Sequence, residues 1–480
     1  MKYKKVYILI AVLSVVTVLS ISAVCDFTGG GTEEADSDAE IAEEEKDGEE
    51  DTDDTYEEES KFTEDYKYSM HFGVGGSLYP DIKQGEGAIQ KITEDLDKLG
   101  MIWLRHPGRG IAWYEVQPAR DTWDFTKYDA VIINNQHPWI IPIYGMIGNA
   151  YPFEGNFTRE YLESLGQKEN IMQYIKDHEL DMNDQQQKAD AEVYVKTFVE
   201  RYKDKIKYWE IGGNEGIGSQ YRLDIVKYTY MWIKEVQPES VVLITAVGGD
   251  DDDQFYNGIN AFDDLLAQGI DDYFDIGHFH YYERFENDFE NRLEDRFDEY
   301  RGVMKKYGVD KPIWVTETST SSYENTVLSE PGSEQIQARH VVIRLVVFAA
   351  RGAEKVIWYN YGELTEDDKF YGCNLVDNGD GPKPAYYTFK ILVEKLGHYK
   401  KVDILQRDSI RLYRFIDEKD KPVFVAWSDY LQDIDLSEYF KDDMVKVTHI
   451  IEDESTTPLV ESTSADQISI SPSPVFIEYK

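Results

Sequence analysis

Between residues 68 and 396 the sequence alternates short apolar runs with longer amphipathic stretches. The short runs are rich in β-branched and aromatic residues and predict strands, whereas the longer ones carry apolar residues at helical spacing. The predicted strands are residues 68–74, 101–105, 139–144, 206–211, 241–247, 273–280, 312–316 and 355–359. The predicted helices include residues 88–99, 189–202, 223–236, 262–267, 287–307 and 334–351. Strands that alternate with helices pair in parallel through right-handed crossovers, so eight such units predict an α/β fold, a (β/α)8 TIM barrel.

An open doubly wound sheet is the competing architecture for such an alternation. That fold usually has fewer strands and carries a glycine-rich phosphate loop directly after its first strand. The glycines that follow the first predicted strand, in residues 73–76, lack the spacing of such a loop. We therefore interpret residues 73–76 as a turn and favour the barrel.

The pattern changes after the last predicted barrel helix. Short strand-like runs separated by turns rich in Asp and Lys occupy residues 410–415, 422–428, 446–451, 467–471 and 475–479. Such a series predicts a small antiparallel β domain. The predicted domains are thus a barrel over residues 65–396 and a β-sandwich-like domain over residues 397–480.

The N-terminal segment is predicted to lie outside both domains. Three lysines in the first five residues precede an apolar run over residues 6–24, which ends at Cys25. This order predicts either an export signal with lipidation of Cys25 or an uncleaved membrane anchor, within residues 1–25. Residues 33–60 then contain 17 acidic residues and one lysine, so residues 26–64 predict a disordered acidic linker. We expect an extracellular protein that is tethered to the cell surface, with membrane contact through this segment only.

Charge and cysteine content exclude two further classes of protein. The formal net charge of −43 argues against nucleic acid as a partner, because phosphate binding requires a basic surface. Two cysteines allow at most one disulfide, which excludes a disulfide-stabilised scaffold.

Two glutamates follow predicted strands that lie opposite each other in an eight-stranded barrel. Glu215 comes soon after the fourth strand and Glu317 directly after the seventh. Because barrel active sites form at the C-terminal ends of the strands, both carboxylates are expected to face one cavity. Hydrolysis of a glycosidic bond with retained configuration uses such a pair, about 5–5.5 Å apart, as nucleophile and acid/base. The sequence thus predicts a glycoside hydrolase with no cofactor and an oligo- or polysaccharide substrate.

In these features the sequence resembles the clan A glycoside hydrolases, which are retaining barrel enzymes. The resemblance implies that Glu215 is the acid/base and Glu317 the nucleophile. It also implies that Asn214 hydrogen-bonds the sugar 2-hydroxyl, since Asn-Glu follows strand four in that clan.

The same resemblance implies four further substrate-site residues. Tyr282, in a His-x-Tyr after strand six, would hold the nucleophile, and His280 would line the site. Arg105, at the end of strand two, would lie beside the nucleophile. Trp358 on strand eight would form the platform under the sugar.

Within the clan, the sequence is similar to the β-xylosidase and iduronidase family and to a cellulase-like family. Residues 113–118 (WYEVQP) and 383–386 (KPAY) carry the first of these similarities. Two departures stand next to the acid/base. Gly212 and Gly213 replace one residue, often Trp, and Gly216 replaces a common Pro. The extra glycine could form a bulge that re-aims Glu215.

Three alternatives remain open from the sequence. Glu210, inside the fourth strand, could compete for the acid role or form an internal ion pair. His278 and His280 could bind a metal, although no matching ligand set is evident on the other strands. The barrel could also be a catalytically inactive polysaccharide-binding protein at the cell surface.

Overall fold

The computed structural model describes residues 64–76, 86–105, 113–133, 135–144, 150–166, 168–211, 223–244, 246–248, 252–282, 289–323, 333–362, 372–377, 381–406, 409–440 and 444–480. The signal or anchor segment and nearly all of the acidic linker lie outside these ranges, so they stay predictions. Among the described residues, no helix combines the length and apolarity needed to cross a bilayer.

Eight parallel strands form the central sheet. They are β1 (Phe72–Gly75), β2 (Trp103–Arg105), β3 (Trp139–Pro142), β4 (Tyr208–Glu210), β5 (Val241–Leu243), β6 (Gly277–His280), β7 (Ile313–Thr318) and β8 (Val356–Tyr359). Their order in the sheet is β5-β4-β3-β2-β1-β8-β7-β6, with β1 hydrogen-bonded to both β2 and β8. Parallel bridges from Leu243 to Ile276 and from Val247 to Phe279 join the two end strands. The sheet therefore closes into the predicted barrel, which is confirmed.

Helices surround this sheet. They are α1 (Glu64–Ser69), α2 (Glu86–Asp97), α3 (Trp113–Val116), α4 (Thr126–Ile132), α5 (Arg159–Ser164), α6 (Lys168–Asp177), α7 (Gln185–Tyr202), α8 (Leu223–Val236), α9 (Asp252–Ala267), α10 (Phe289–Lys306), α11 (Glu334–Arg351) and α12 (Pro384–Leu396), with a 3-10 turn over Ile270–Tyr273. The predicted helices at 189–202, 223–236, 287–307 and 334–351 match α7, α8, α10 and α11 closely. Helices α5 and α6, between strands β3 and β4, were not predicted.

Alternate residues along each strand face the barrel interior and the helices. Tyr208 on β4 faces inward, where its ring packs against those of Trp103 and Trp314, with centroids 4.8 and 5.3 Å away. Its neighbour Trp209 faces outward, and its indole donates to Gln237 Oε1 at 2.8 Å beside helix α8. The rings of Tyr208, Trp103 and Trp314 fill the barrel below the site described next, as side-chain layers do in this fold.

A β-bulge in β7 changes which side chains reach the interior. Phe279 on β6 pairs with Val315, but the next residue, His280, pairs with Glu317, so β7 carries one extra residue. The pairing of β7 with β8 shifts at the same place. Strict alternation would put Thr316 and Glu317 on opposite faces. Because of the bulge, both side chains reach the barrel interior. Thr316 contacts the inward-facing His278 of β6, and Glu317 contacts the inward-facing Arg105 of β2.

An antiparallel sheet follows the barrel, as predicted. Its six strands are β11 (Lys401–Gln406), β12 (Ile410–Ile416), β13 (Pro422–Ser428), β15 (Met444–His449), β16 (Val460–Ser464) and β18 (Val475–Tyr479). Their order in the sheet is β11-β12-β13-β18-β15-β16. Two small pairs add β9 (Val376–Asp377) with β10 (Gly381–Pro382), and β14 (Gln432–Ile434) with β17 (Ile468–Ile470). The sheet contacts helix α10, where Glu290 accepts hydrogen bonds from Arg411 and Trp427.

Candidate active site

One guanidinium lies between two carboxylates inside the barrel, near the C-terminal ends of the strands. Arg105, the last residue of β2, donates from Nε and Nη2 to the two oxygens of Glu210 at 2.8 and 2.9 Å. Its Nη1 donates to Glu317 Oε1 at 2.6 Å. The three side chains are at most 2% exposed. Arg105 therefore connects the ends of β4 and β7 across the barrel.

The guanidinium at the centre of this cluster is held in its charged form. Burial alone would lower the pKa of Arg105, but the charges of Glu210 and Glu317 outweigh that effect and raise it. The guanidinium thus stays charged and pairs with both carboxylates. Burying charged groups costs free energy even when they are paired, so a buried cluster of three ionisable side chains in a barrel is a candidate site for chemistry.

The second oxygen of Glu317 is contacted from strand β6 and the loop that follows it. The Tyr282 hydroxyl donates to Glu317 Oε2, and His280 Nδ1 lies 3.5 Å from the same oxygen. Burial and then the charge of Glu317 raise the pKa of Tyr282 well above its ordinary value, so the phenol keeps its proton and remains a donor. A guanidinium on one oxygen and a phenol on the other orient Glu317 and stabilise its ionised form.

His278 lies beside this cluster as a neutral imidazole. Burial lowers its pKa to about 4, although the charge of Glu210 partly opposes the shift. Its Nε2 faces the Ile244 carbonyl, which can only accept, so Nε2 carries the proton. Its Nδ1 then accepts from Thr316 Oγ1 at 2.6 Å. With both ring nitrogens used in this way, His278 acts as an uncharged connection between strands β5, β6 and β7.

The possible metal site on His278 and His280 has no further support. No group of three or more His, Cys, Asp or Glu side chains in the part of the chain that the structure describes is arranged to hold a metal ion.

The aromatic residue predicted as the sugar platform needs correction. Trp358 is fully buried, and its indole donates to the Cys373 carbonyl at 3.0 Å. Ile357 faces the interior next to Gly73, so strand alternation turns Trp358 outward and Tyr359 inward. The ring of Tyr359 lies 6.0 Å from that of Tyr282, at an interplanar angle of 89°. Tyr359, which the sequence reasoning missed, is therefore the aromatic residue of β8 beside the cluster.

The structure does not test two of the predicted site residues. Asn214 and Glu215 lie outside the described residues, as do Gly212, Gly213 and Gly216. The described chain continues past β4 as far as Ile211, whose N–H donates to the Leu243 carbonyl at 3.0 Å. The roles implied for Asn214 and Glu215 therefore stay predictions.

Glu210 is the site residue whose place the sequence left most open. The sequence allowed either an acid role or an internal ion pair, and the structure shows the ion pair with Arg105. Its inward direction follows from alternation with Tyr208, but its partner is 105 positions away along the chain. No local sequence signal could have identified that partner.

The barrel is similar to solved structures of several glycoside hydrolases. A family 39 glycoside hydrolase from the gut symbiont Bacteroides cellulosilyticus shares 14% identity over 86% of this chain and 82% of its own, with a TM-score of 0.61. A glucosidase from Croceicoccus marinus shares 11% identity over 85% and 95%, with a TM-score of 0.55. An alpha-L-arabinofuranosidase from Thermotoga maritima shares 13% identity over 85% and 96%, with a TM-score of 0.51.

These similarities define the fold of the chain. It is an eight-stranded parallel barrel followed by an antiparallel sheet, a fold that the chain shares with these three structures and that the sequence predicted. No protein family model matches the sequence, and no curated protein matches it.

Proposed function

We propose that the protein is a retaining glycoside hydrolase that cleaves β-linked (or equivalent equatorial) glycans. The proposal rests on the orientation of Glu317. A β-bulge in β7 turns its side chain into the barrel, where Arg105 donates to one carboxylate oxygen and Tyr282 donates to the other. A carboxylate fixed in this way at a barrel strand end fits a nucleophile.

In the first step a Glu317 oxygen attacks the anomeric carbon, and the bond from that carbon to the leaving oxygen breaks. Glu215 gives its proton to the leaving oxygen, and a glycosyl ester of Glu317 forms. Arg105 and Tyr282 keep Glu317 ionised and oriented before the attack. Since they bind the carboxylate most strongly when it is charged, they also stabilise it as the leaving group of the second step.

In the second step water attacks the same carbon from the side that the leaving group vacated. Glu215, now a carboxylate, takes the proton from water, and the bond to Glu317 breaks. Two inversions restore the original configuration of the sugar. Both steps use only carboxyl groups and water.

Replacing Tyr282 with Phe should lower kcat by about 10²- to 10³-fold, because the carboxylate loses one preorganised donor in the reacting states. Steady-state kinetics on an aryl glycoside measures this effect. Tyr281→Phe is a matched control, since the Tyr281 hydroxyl contacts Arg296 Nε at 3.4 Å rather than Glu317. Equal losses in the two variants would contradict a specific contact between Tyr282 and the nucleophile.

Replacing Glu215 with Ala should remove proton transfer and spare nucleophilic attack. Hydrolysis of substrates with poor leaving groups should then fall by about 10²- to 10⁴-fold, whereas activated aryl glycosides should still form the glycosyl ester. Azide, which needs no general base, should partly restore turnover of activated substrates and yield a glycosyl azide. Failure of azide to raise turnover above that of the untreated variant would count against the acid/base role of Glu215.

A panel of aryl glycosides with different sugars tests the proposal as a whole. We expect hydrolysis of at least one β-linked substrate, and proton NMR of the first product should show retained configuration. Binding of glycans without turnover would instead support the inactive polysaccharide-binding protein, an alternative that the altered sequence around Glu215 keeps open.

A further inference from the structure

The side chain of Asn360 is buried and has no hydrogen-bonding partner among the described residues. Asn360 directly follows strand β8 and is 0% exposed. Neither its Oδ1 nor its Nδ2 is hydrogen-bonded within the described structure. Its backbone, by contrast, is held on both sides, because Leu375 N–H donates to its carbonyl at 3.1 Å and its own N–H faces the Cys373 carbonyl.

An unpaired amide is an unusual choice for a buried position. The large majority of buried polar side-chain atoms have a partner, and leaving both ends of an amide unpaired destabilises a fold. An apolar side chain of similar volume would avoid that cost. Residues that lower stability in this way are concentrated where a protein binds something.

Asn360 is the chain neighbour of a residue that packs against the site described above. Its neighbour Tyr359 packs against Tyr282, whose hydroxyl donates to Glu317. At the end of β1, a Cβ added to Gly76 would lie 2.5 Å from Asn360 Cβ and 2.8 Å from Tyr359 Cε2. Any larger residue at Gly76 would therefore displace both side chains, so the glycine permits this close approach at the end of the barrel where substrates bind.

A second unpaired polar group lies at the end of the adjacent strand. Ser319 is 0% exposed, and its Oγ has no hydrogen-bond partner in the described part of the chain. Thr318 on β7 pairs with Trp358 on β8, so Ser319 is one residue and Asn360 two residues beyond that pair. Ser319 is also two residues beyond Glu317. Two unsatisfied polar groups thus occur together where β7 and β8 end.

We propose that Asn360 is a substrate-binding residue whose amide hydrogen-bonds hydroxyl groups of the sugar attacked by Glu317. This inference rests on the proposed glycosidase function and names a contact for it. A primary amide offers donors and an acceptor together, which matches a sugar hydroxyl or a pair of adjacent hydroxyls. Binding of the sugar then supplies the partners that the amide lacks among the described residues.

The test compares Asn360→Ala with the wild type on the aryl glycoside that the wild type hydrolyses best and on its monodeoxy analogues. On the full substrate we expect kcat/KM to fall by about 10- to 100-fold. On the analogue that lacks the recognised hydroxyl, wild type and variant should have equal kcat/KM. The Tm of the variant should fall by no more than the small cavity left by the amide would cause, because no hydrogen bond within the described structure is lost.

Asn374→Ala is the matched control, since the Asn374 amide donates to the Val376 carbonyl at 3.1 Å and to the Asp377 side chain. This control should lower the Tm and should not distinguish the deoxy analogues. Full activity of Asn360→Ala on the complete substrate would overturn the proposal. A lowered Tm with the same loss on every analogue would also overturn it, because Asn360 would then be structural.

Protection of the protein against heat by the same glycosides separates this inference from the proposed function. The wild type could bind a glycoside without hydrolysing it, and Asn360→Ala could lose the protection against heat. That result would contradict the glycosidase function and support the contact between Asn360 and the sugar. Hydrolysis by the wild type, together with unchanged activity and protection in Asn360→Ala, would support the glycosidase function and contradict the contact between Asn360 and the sugar. Wild type that neither binds nor hydrolyses any glycoside would overturn both.

Discussion

Replacing Glu317 with Gln is expected to lower kcat by roughly 10⁴- to 10⁶-fold, because the amide cannot form the glycosyl ester. The fold should survive, since Gln has nearly the same shape as Glu. The substitution changes one of the two carboxylates that Arg105 contacts in the described structure, and the ion pair with Glu210 remains.

Glu210→Gln is the matched control for this variant. It removes a carboxylate from the same guanidinium but leaves Glu317 in place. We expect a loss of less than about 10²-fold, which is the size typical of a misplaced neighbouring group. Steady-state kinetics gives the kcat of both variants, and circular dichroism spectra show whether both are folded. Comparable activity of the two variants would contradict Glu317 as the nucleophile.

Replacing Arg105 with Met is expected to give the largest loss of stability of any substitution in the site. Two buried carboxylates would face each other without their cation, and breaking a buried ion pair in this way costs about 3–5 kcal/mol. Activity should fall as well, because Glu317 loses the donor to Oε1. Denaturant unfolding and steady-state kinetics measure the two effects.

Two further variants test whether the loss of the positive charge is the reason for the lower stability of Arg105→Met. Arg105→Lys keeps the cation but cannot bridge both carboxylates with a planar fork, so it should be intermediate in stability. The double variant Arg105→Met, Glu210→Gln also replaces one of the two carboxylates that contact Arg105 in the wild type. It should therefore be more stable than Arg105→Met alone. The coupling energy is the difference between the loss of stability in the double variant and the sum of the losses in the two single variants. Simple addition of the two single losses would show that the ion pair contributes little.

The barrel could be predicted from the sequence because its signal is spread along the chain. Eight apolar runs separated by amphipathic stretches are compatible with few folds. The barrel could therefore be predicted even though some predicted strand ends differ by several residues from the observed ones, as for predicted strand 241–247 and β5 (Val241–Leu243). The edge strands β11 (Lys401–Gln406) and β16 (Val460–Ser464) were missed. Strand β16 pairs on one side only and is largely exposed, so its sequence carries little apolar alternation.

The site was less accessible to sequence reasoning than the fold. The position of Glu317 at a strand end could be read directly, but its direction depends on the bulge in β7, which only the pairing with β6 and β8 reveals. Trp358 was chosen by residue type, although alternation from Ile357 points to Tyr359. Asn360 carries no sequence signal at all, because what distinguishes it is the partners it lacks among the described residues.

The most direct test of the account is to trap the glycosyl-enzyme. A 2-deoxy-2-fluoro glycoside with an activated leaving group, of the sugar that the protein hydrolyses best, slows the second step more than the first, so the ester accumulates. We predict that the mass of the protein rises by one fluoroglycosyl group and that peptide mapping places this group on Glu317. A label on Glu210 or Glu215, or turnover of the reagent through a product of inverted configuration, would contradict the account.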